Sequence, residues 1–232
     1  MTTVPPGISG RPAEYRPNDV DLETIKNELS LSLIGDFVPL NVKINCNQLM
    51  EELRPYEGQW PLYLPRSDRL NNRTGLTLTT LPGKTWKDSP SLAEASYENK
   101  RKVSECEFNS PTEVFHSCKS LQPLFEKFTD LGRCFFVNCG IGGYFVPHRD
   151  HPAMPRDVFR LAVFVNNCDP YQYDWLMDHE KLIIETGRVY YINTRRTHRT
   201  ISWTPDSIHL ICNIPMTTEN VQRVLSNLQH SH

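Results

Sequence analysis

Two histidines and an aspartate in the second half of the chain have the residue types and the spacing of a metal site. His148 and Asp150 lie one residue apart in the run "YFVPHRD". Alternate side chains of a β-strand face the same way, so these two would share a face from which Arg149 turns away. His198 lies eleven residues after Gly187, where the strand-like run "HRTISW" begins. Two histidines and one carboxylate on one face of an antiparallel barrel form the ligand set of non-haem Fe(II) sites, so we predict that His148, Asp150 and His198 hold a metal ion.

Other readings of these residues stay open. A lone His-x-Asp is common in hydrogen-bonded turns, so the metal prediction depends on His198. We expect His151, which precedes a proline, to be a loop residue. His209 could be a core histidine or a substrate contact. The aromatic residues of "CDPYQYDWLMDHE" could line a pocket, although packing in the core is the favoured interpretation; these are Tyr171, Tyr173 and Trp175.

The elements that must position these residues are short strands. Seven β-rich runs follow Arg133 without an intervening helix, which predicts an antiparallel sandwich or barrel. They are "RCFFVNC", "GYFVPH", "VFRLAVFVN", "KLIIE", "RVYYINT", "RTISW" and "IHLICNI". A capping box formed by Ser110 and Glu113 predicts a helix over 111–131, broken near Pro123, that packs on the outside of the sheet. A second helix is expected at 217–229.

The first half of the chain is less informative. Residues 1–34 are rich in proline and predict an extended N-terminal arm, followed by one domain over 35–232 whose core barrel spans about 133–214. "IGDFVPLNVKI" predicts a strand and "NQLMEELRPY" a short helix. Residues 65–109 are polar and turn-rich, with one strand at "GLTLTTL", and either cover a site or form plain surface.

Composition narrows the function classes. A formal charge of −2 and a pI near 6.4 give no general attraction to nucleic acid or to anionic membranes. The seven cysteines contain no C-x-x-C pair, so we expect free thiols in a reducing compartment. With no long apolar run and no signal-like N-terminus, the expectation is a soluble cytoplasmic protein without a membrane partner.

At these motifs the chain resembles a known family. His148-x-Asp150, the spacing from Gly187 to His198 and the closing run "SIHLICNI" are similar to those of the 2-oxoglutarate-dependent oxygenases, over roughly residues 133–214. The nearest branch is the aspartyl/asparaginyl β-hydroxylase-like one, with free-proline hydroxylases and oxygenases encoded by marine phages. The resemblance implies a mainly β protein with flanking helices, built on a double-stranded β-helix of the jelly-roll or cupin-like type. It also implies Fe(II) on His148, Asp150 and His198, with 2-oxoglutarate as cosubstrate. O2 and a small-molecule or peptide substrate would be the partners, and an amino-acid side chain, free or peptidyl, would be hydroxylated.

One departure from the family pattern concerns the cosubstrate. Ser207 stands where this branch has an arginine for the far carboxylate of 2-oxoglutarate, and a buried dicarboxylate needs a cation. We predict that Arg160 replaces that arginine, with a hydroxyl contact from Ser207; Arg188 and Arg196 are weaker candidates. Two other functions remain open. One is a cupin-like hydrolase or isomerase that holds zinc or manganese. The other is a non-catalytic jelly-roll interaction module with the N-terminal arm as its docking element.

Overall fold

Two antiparallel β-sheets face each other. A computed structural model describes residues 21–66, 72–150 and 157–228. With strands numbered in chain order, the larger sheet has the spatial order Phe37–Lys43 (β1), Arg188–Ile192 (β10), Val158–Asn166 (β7), Ser207–Pro215 (β12), Cys134–Cys139 (β5) and Arg73–Thr77 (β2). The smaller sheet has the order Tyr144–His148 (β6), His198–Ser202 (β11), Tyr173–Met177 (β8) and Glu180–Lys181 (β9). Thr79–Thr80 (β3) pairs with Ser110–Pro111 (β4). The predicted double-stranded β-helix is confirmed.

The larger sheet separates two apolar cores. Along β12, Leu210 and Cys212 belong to the core between this sheet and the helices, whereas Ile211 belongs to the core between the two sheets. This alternation follows from the two-residue period of a strand. The inner core is the one that matters for function, because side chains pointing into it line the space between the sheets.

In the part of the chain that the structure describes, six helices flank the sheets. They are Leu22–Ile34 (α1), Cys46–Leu53 (α2), Leu92–Glu98 (α3), Glu113–Ser117 (α4), Gln122–Phe125 (α5) and Thr218–Ser226 (α6), with single 3-10 turns at Arg54–Tyr56, Glu105–Glu107 and Lys119–Leu121. All except α3 contribute to the outer core. Within the described residues, no helix combines the length and the apolar character needed to cross a membrane. All seven cysteines lie in described segments and are free thiols.

The N-terminal arm is a helix where the structure describes it. The side chain of Asp21 caps α1 by accepting from the backbone N–H groups of Glu23 and Thr24. Leu31 is fully buried, and Glu28 pairs with Arg195 at 3.0 Å. The prediction of an extended arm is therefore wrong for residues 22–34, while residues 1–20 lie outside the described residues. The C-terminal helix predicted at 217–229 is present as α6.

Two strand predictions need correction. "KLIIE" is not a strand beyond Lys181, and Ile183 in it is 84% exposed. The stretch "CDPYQYDWLMDHE", which was not among the predicted strands, contains β8, in which Tyr173 and Trp175 are buried. Asp174 between these two aromatics gives the alternation of a half-buried strand, a signal that the sequence prediction overlooked. The unbroken apolar run of "KLIIE" suggested a full strand, but its pairing with β8 ends in a hydrogen bond from the N–H of Leu182 to the carbonyl of Trp175.

The helix predicted over 111–131 begins later and is broken into short pieces. Ser110 is not its cap, because Ser110–Pro111 is drawn into pairing with Thr79–Thr80. Thr112 caps α4 instead, its side chain accepting from the backbone N–H of Phe115. The apolar face predicted for the second part does pack on the sheet, with Leu124 and Phe128 in the outer core.

Residues 81–108 form a unit of their own, which we call the covering segment. Ser91 caps α3, a helix that the polar sequence did not predict. A small core holds the segment together, formed by Leu81, Ala95, Val103 and Phe108. The segment ends just before β4 and lies against the space between the two sheets.

Candidate metal centre

The three predicted ligands come together at one end of the smaller sheet. His148 ends β6 and His198 begins β11, and the two residues are direct register partners. Asp150 follows two residues after His148 and is held by a hydrogen bond from its backbone N–H to the carbonyl of Thr194 (2.9 Å). The Nε2 atom of His148 lies 3.5 Å from Oδ1 of Asp150, and that of His198 lies 3.6 Å from Oδ2. The three ligand atoms lie within 4.8 Å of one another, a cluster compact enough for one metal ion.

A β-bulge in β6 aims His148 into the space between the sheets. His198 pairs with His148, but Thr200 pairs with Phe145, so three steps along β6 match two along β11. The extra residue falls beside Pro147, which has no N–H to donate to the ladder. As a result Phe145 and His148 share a face despite their spacing of three, with ring centres 6.2 Å apart.

Backbone carbonyls fix the tautomer of both histidines. Nδ1 of His148 lies 2.7 Å from the carbonyl oxygen of Val146, and Nδ1 of His198 lies 3.0 Å from that of Arg196. A carbonyl only accepts, so each Nδ1 carries the proton. Each Nε2 lone pair is therefore left for a metal ion, which is how protein partners orient histidine ligands.

The charge states of the ligands also suit a metal. Burial lowers the pKa of His198 to about 4, so its imidazole is neutral at pH 7. Burial works to raise the pKa of Asp150, but the positive charge of Arg160, with further electrostatic contributions from His198 and His148, outweighs it and holds this pKa below its ordinary value. Neutral imidazole and ionised carboxylate are the metal-binding forms. Two nitrogens and one oxygen fit Fe(II), and equally Mn(II) or Zn(II).

Behind Asp150 lies a chain of buried charges. Arg160 donates from Nη1 to Oδ2 of Asp150 and from Nε to Oδ1 of Asn213 (3.0 Å), and its Nη2 lies 3.4 Å from Oε1 of Glu105. Arg133 grips Glu105 with two N–H groups, one of them at 2.9 Å. Glu105 is 1% exposed. The sequence did not indicate Glu105, since nothing distinguishes it from the other acidic residues of the covering segment.

Arg160 and Ser207, the predicted cosubstrate residues, lie in different places. The Arg160 guanidinium is inside the barrel, beside the metal ligands. The Ser207 hydroxyl donates to the carbonyl of Asn167 (2.8 Å) and contacts the hydroxyls of Ser202 (2.8 Å) and Thr204 (3.0 Å). Ser207 is not among the residues that line the cavity. The roles assigned to both residues toward a cosubstrate stay predictions. The weaker candidates pair elsewhere, Arg188 with Glu185 and Arg196 with Asp178.

The three candidate ligands open into a cavity of about 490 Å³ between the two sheets. Its volume lies within the usual range for small-molecule sites. The covering segment forms one side, and apolar side chains of the inner core form another. The lining includes Arg73, Lys102, Phe135, Trp175, His209 and Ile211. Of the two alternatives left open for the polar region of the first half, covering a site is the one that agrees with this arrangement.

Two buried ring nitrogens in the cavity wall have no hydrogen-bond partner among the described residues. They are Nε1 of Trp175 and Nδ1 of His209, on side chains that are each 3% exposed. Burial lowers the pKa of His209 to about 3, so it is uncharged. His209 thus combines the two readings that the sequence left open, buried yet lining the cavity. Tyr173 lies in the core as expected, but Tyr171 is 94% exposed and that expectation was wrong. His151 lies outside the described residues.

Arg73 is a further cation in the cavity that the sequence did not single out. It is buried, and its guanidinium lies 4.0 Å from the ring centre of Phe145 and 5.2 Å from that of Tyr63. Because Phe145 neighbours His148, this charge lies on the metal side of the cavity. Local sequence propensities could not have indicated this position, because Arg73 begins a strand far from the candidate ligands in sequence.

The comparisons with known proteins find similarity in fold rather than in sequence. No protein-family model matches the sequence, and no curated protein matches it significantly. Among solved structures, the chain is similar to a Pseudomonas putida prolyl-4-hydroxylase, with 14% identity over 81% of this chain and 97% of that one, at a TM-score of 0.46. It is also similar to the viral collagen prolyl hydroxylase of Paramecium bursaria Chlorella virus-1, solved with 2OG, with 12% identity over 78% and 94% of the two chains and a TM-score of 0.41. KdgF from Halomonas sp. matches 36% of this chain and 67% of its own, with 16% identity and a TM-score of 0.29. The fold and the ligand cluster together define a double-stranded β-helix protein with a candidate metal centre.

Proposed function

We propose that the chain is an Fe(II)- and 2-oxoglutarate-dependent dioxygenase that hydroxylates an amino-acid side chain, free or in a peptide. The observation that carries the proposal is the cluster of His148, Asp150 and His198, with both Nε2 lone pairs turned toward the carboxylate. Three protein ligands leave three positions of a six-coordinate ion for a chelating cosubstrate and O2. A closed four-ligand structural site would leave none.

The charge of the cavity supports an anionic cosubstrate. Among the described residues, five cationic side chains line the cavity against two carboxylates, those of Glu105 and Asp150; the cations are Arg73, Lys102, Arg133, Arg149 and Arg160. A surplus of positive charge in a partly closed cavity favours a dicarboxylate. Arg73 is a candidate for the far carboxylate beside the predicted Arg160, whose donors already face Asp150, Glu105 and Asn213.

Different residues of the chain have different roles in the proposed reaction. When bound, Fe(II) with 2-oxoglutarate and O2 supplies the oxidation, in which one oxygen atom enters a substrate C–H bond and the other enters succinate as CO2 leaves. His148 and His198 hold their lone pairs in place through the backbone carbonyls. Phe135, Trp175 and Ile211 exclude water from the inner end of the cavity, which prevents unproductive oxidation.

The test is cosubstrate turnover by protein purified without oxygen. Loaded with Fe(II) and given air, it is expected to convert 2-oxoglutarate to succinate, with turnover rising when a mixture of free amino acids and peptides is added. His198→Ala, which removes one ligand, is expected to abolish turnover and metal binding. Purified protein that carries zinc or manganese and leaves 2-oxoglutarate intact would instead indicate the hydrolase or isomerase. Failure to bind any divalent metal would indicate the interaction module.

A further inference from the structure

We infer that Arg160 is a positioning residue that restricts Asp150 to binding the metal through a single oxygen, and that Glu105 of the covering segment holds Arg160 in that position. The inference rests on the proposed function only in that the triad must hold a divalent metal ion. It assigns Arg160 a role toward a protein ligand rather than toward a cosubstrate. The two roles predict different results in protein without cosubstrate.

The two oxygens of Asp150 have different surroundings. Oδ2 accepts a hydrogen bond from Nη1 of Arg160 and lies 3.6 Å from Nε2 of His198, whereas Oδ1 lies 3.5 Å from Nε2 of His148 and is not the oxygen that Arg160 binds. The charge-assisted bond takes up one lone pair of Oδ2 and places a positive charge beside it, which disfavours a second metal bond through that oxygen. Oδ1 is therefore the oxygen left for the metal.

Arg160 is fixed from more than one side. Its Nε donates to Asn213, whose own amide donates to the carbonyl of Arg133 at 2.7 Å. Its Nη2 faces Glu105, and only 13% of its side chain is exposed. Arg133, Glu105, Arg160 and Asp150 thus form a chain of alternating charge. A planar guanidinium held at several donors has little freedom to turn away from Asp150.

The arrangement determines how many metal positions stay open. A carboxylate bound through one oxygen leaves three of six positions free, whereas one bound through both oxygens leaves two. The positive charge of Arg160 also opposes a metal cation beside it. Loss of Arg160 should therefore tighten metal binding while weakening the binding of a chelating ligand to the metal.

Glu105 links this geometry to the cavity wall. It opens the 3-10 turn Glu105–Glu107 of the covering segment, so the charge chain crosses from that segment through the larger sheet to the metal ligand. A covering segment seated in its proper place is then a condition for one-oxygen coordination.

The experiment titrates Mn(II) into metal-free protein without cosubstrate, with free Mn(II) followed by EPR, and then titrates oxalate into the Mn(II)-loaded protein as the chelating probe. Arg160→Met is expected to bind Mn(II) about tenfold more tightly and oxalate about tenfold more weakly than the unaltered chain. Arg160→Lys, which keeps the charge and one donor, is expected to restore most of both affinities. Arg223→Met removes an arginine of α6 that pairs with Glu219 and does not line the cavity, and it is expected to change each affinity by less than about twofold.

Unchanged or weaker Mn(II) binding by folded Arg160→Met overturns the inference. Weaker oxalate binding with unchanged Mn(II) affinity would do so as well, and would support direct binding of the cosubstrate by Arg160. Arg160→Gln, which keeps a polar side chain without charge, is read by the same outcomes if the methionine variant does not fold. Unaltered protein that binds no Mn(II) overturns both this inference and the proposed function. Protein that binds Mn(II) as expected but never consumes 2-oxoglutarate contradicts the proposed function alone.

Discussion

His209 is an ionisable side chain that the barrel keeps uncharged. Aromatic rings surround it, with centres at 5.5 Å (Tyr173), 5.8 Å (Trp175) and 6.2 Å (Phe164). Its pKa of about 3 lies below that of an unfolded histidine, near 6.5. Between these values the unfolded chain binds a proton that the folded chain does not, so stability is full above about pH 6.5 and falls as the pH drops toward 3.

Replacing His209 should remove part of the acid sensitivity of the fold. At pH 5 the proton linkage of this histidine costs about 2 kcal/mol relative to pH 7. His209→Gln is therefore expected to lose about 2 kcal/mol less free energy of unfolding between pH 7 and pH 5 than the unaltered chain, measured by urea denaturation. His116→Gln, at an exposed position, is the control. An equal loss in His209→Gln and the unaltered chain would contradict the prediction.

The sequence indicated which three residues come together as candidate ligands, but not the residues around them. His148, Asp150 and His198 could be predicted because strand periodicity and motif spacing place ligands without knowledge of packing. Glu105 and Arg73 could not, because their roles depend on contacts across 28 or more residues, such as that between Glu105 and Arg133. The predicted position of Arg160 inside the barrel agrees with the structure because alternation along β7 determines it.

The covering segment has a small core of its own, and of its buried apolar residues Trp86 belongs to the outer core. Phe108 lies at its C-terminal end, buried against Leu81, Ala95 and Val103, and beneath the guanidinium of Arg133 with the ring centre 6.0 Å away. The segment therefore depends on few apolar contacts, which makes it a region expected to open before the barrel does.

Truncating Phe108 should loosen this element. Phe108→Ala is expected to lower the free energy of unfolding by about 3 kcal/mol and to make residues 81–108 the first site of limited proteolysis. Ile183→Ala, at an exposed position, should change stability by less than about 0.5 kcal/mol and leave the cleavage pattern as it was. Cleavage that begins in the strands of the barrel instead would show that the covering segment does not open independently.

At the level of elements, prediction failed where pairing decided the outcome. Tyr173–Met177, which was not predicted as a strand, pairs along its whole length with β11. Ser110 and Pro111 were drawn into a two-residue pairing instead of starting a helix. Local patterns indicate what a segment can become, and the partner that lies beside it selects among the possibilities.

At the scale of the whole molecule, two of the candidate ligands lie on neighbouring paired strands. A metal ion bound to them would stabilise that strand pair. A ligand that binds only the folded state stabilises it by about 2.7 kcal/mol at a concentration one hundred times its dissociation constant. For a chain of this length that is expected to raise Tm by about 5–10 °C. Differential scanning fluorimetry with Mn(II) measures the shift, and His198→Ala is expected to show none. An equal shift in that variant would place the bound metal elsewhere.

The overall architecture was predictable because it depends on numbers of strands rather than on exact contacts. Runs of β-rich residues without helices allow few arrangements, and the double-stranded β-helix is one of them. The helix of residues 22–34 was not predictable in the same way. Its exposed Leu22, Leu29 and Leu33 blur the amphipathic pattern, while its buried Glu28 depends on Arg195 far along the chain.

Because of the bulge beside Pro147, a bound metal ion would also influence which register the strand pair adopts during folding. Paired strands can slip by one residue with many of their hydrogen bonds kept, but every side chain then turns to the opposite face. His148 faces the cavity only when the extra residue lies where it does, opposite His198. A chain that pairs β6 with β11 in a shifted register separates the two imidazoles, so a metal ion would not stabilise it. Metal present while the protein is synthesised would therefore favour the correct register of this strand pair.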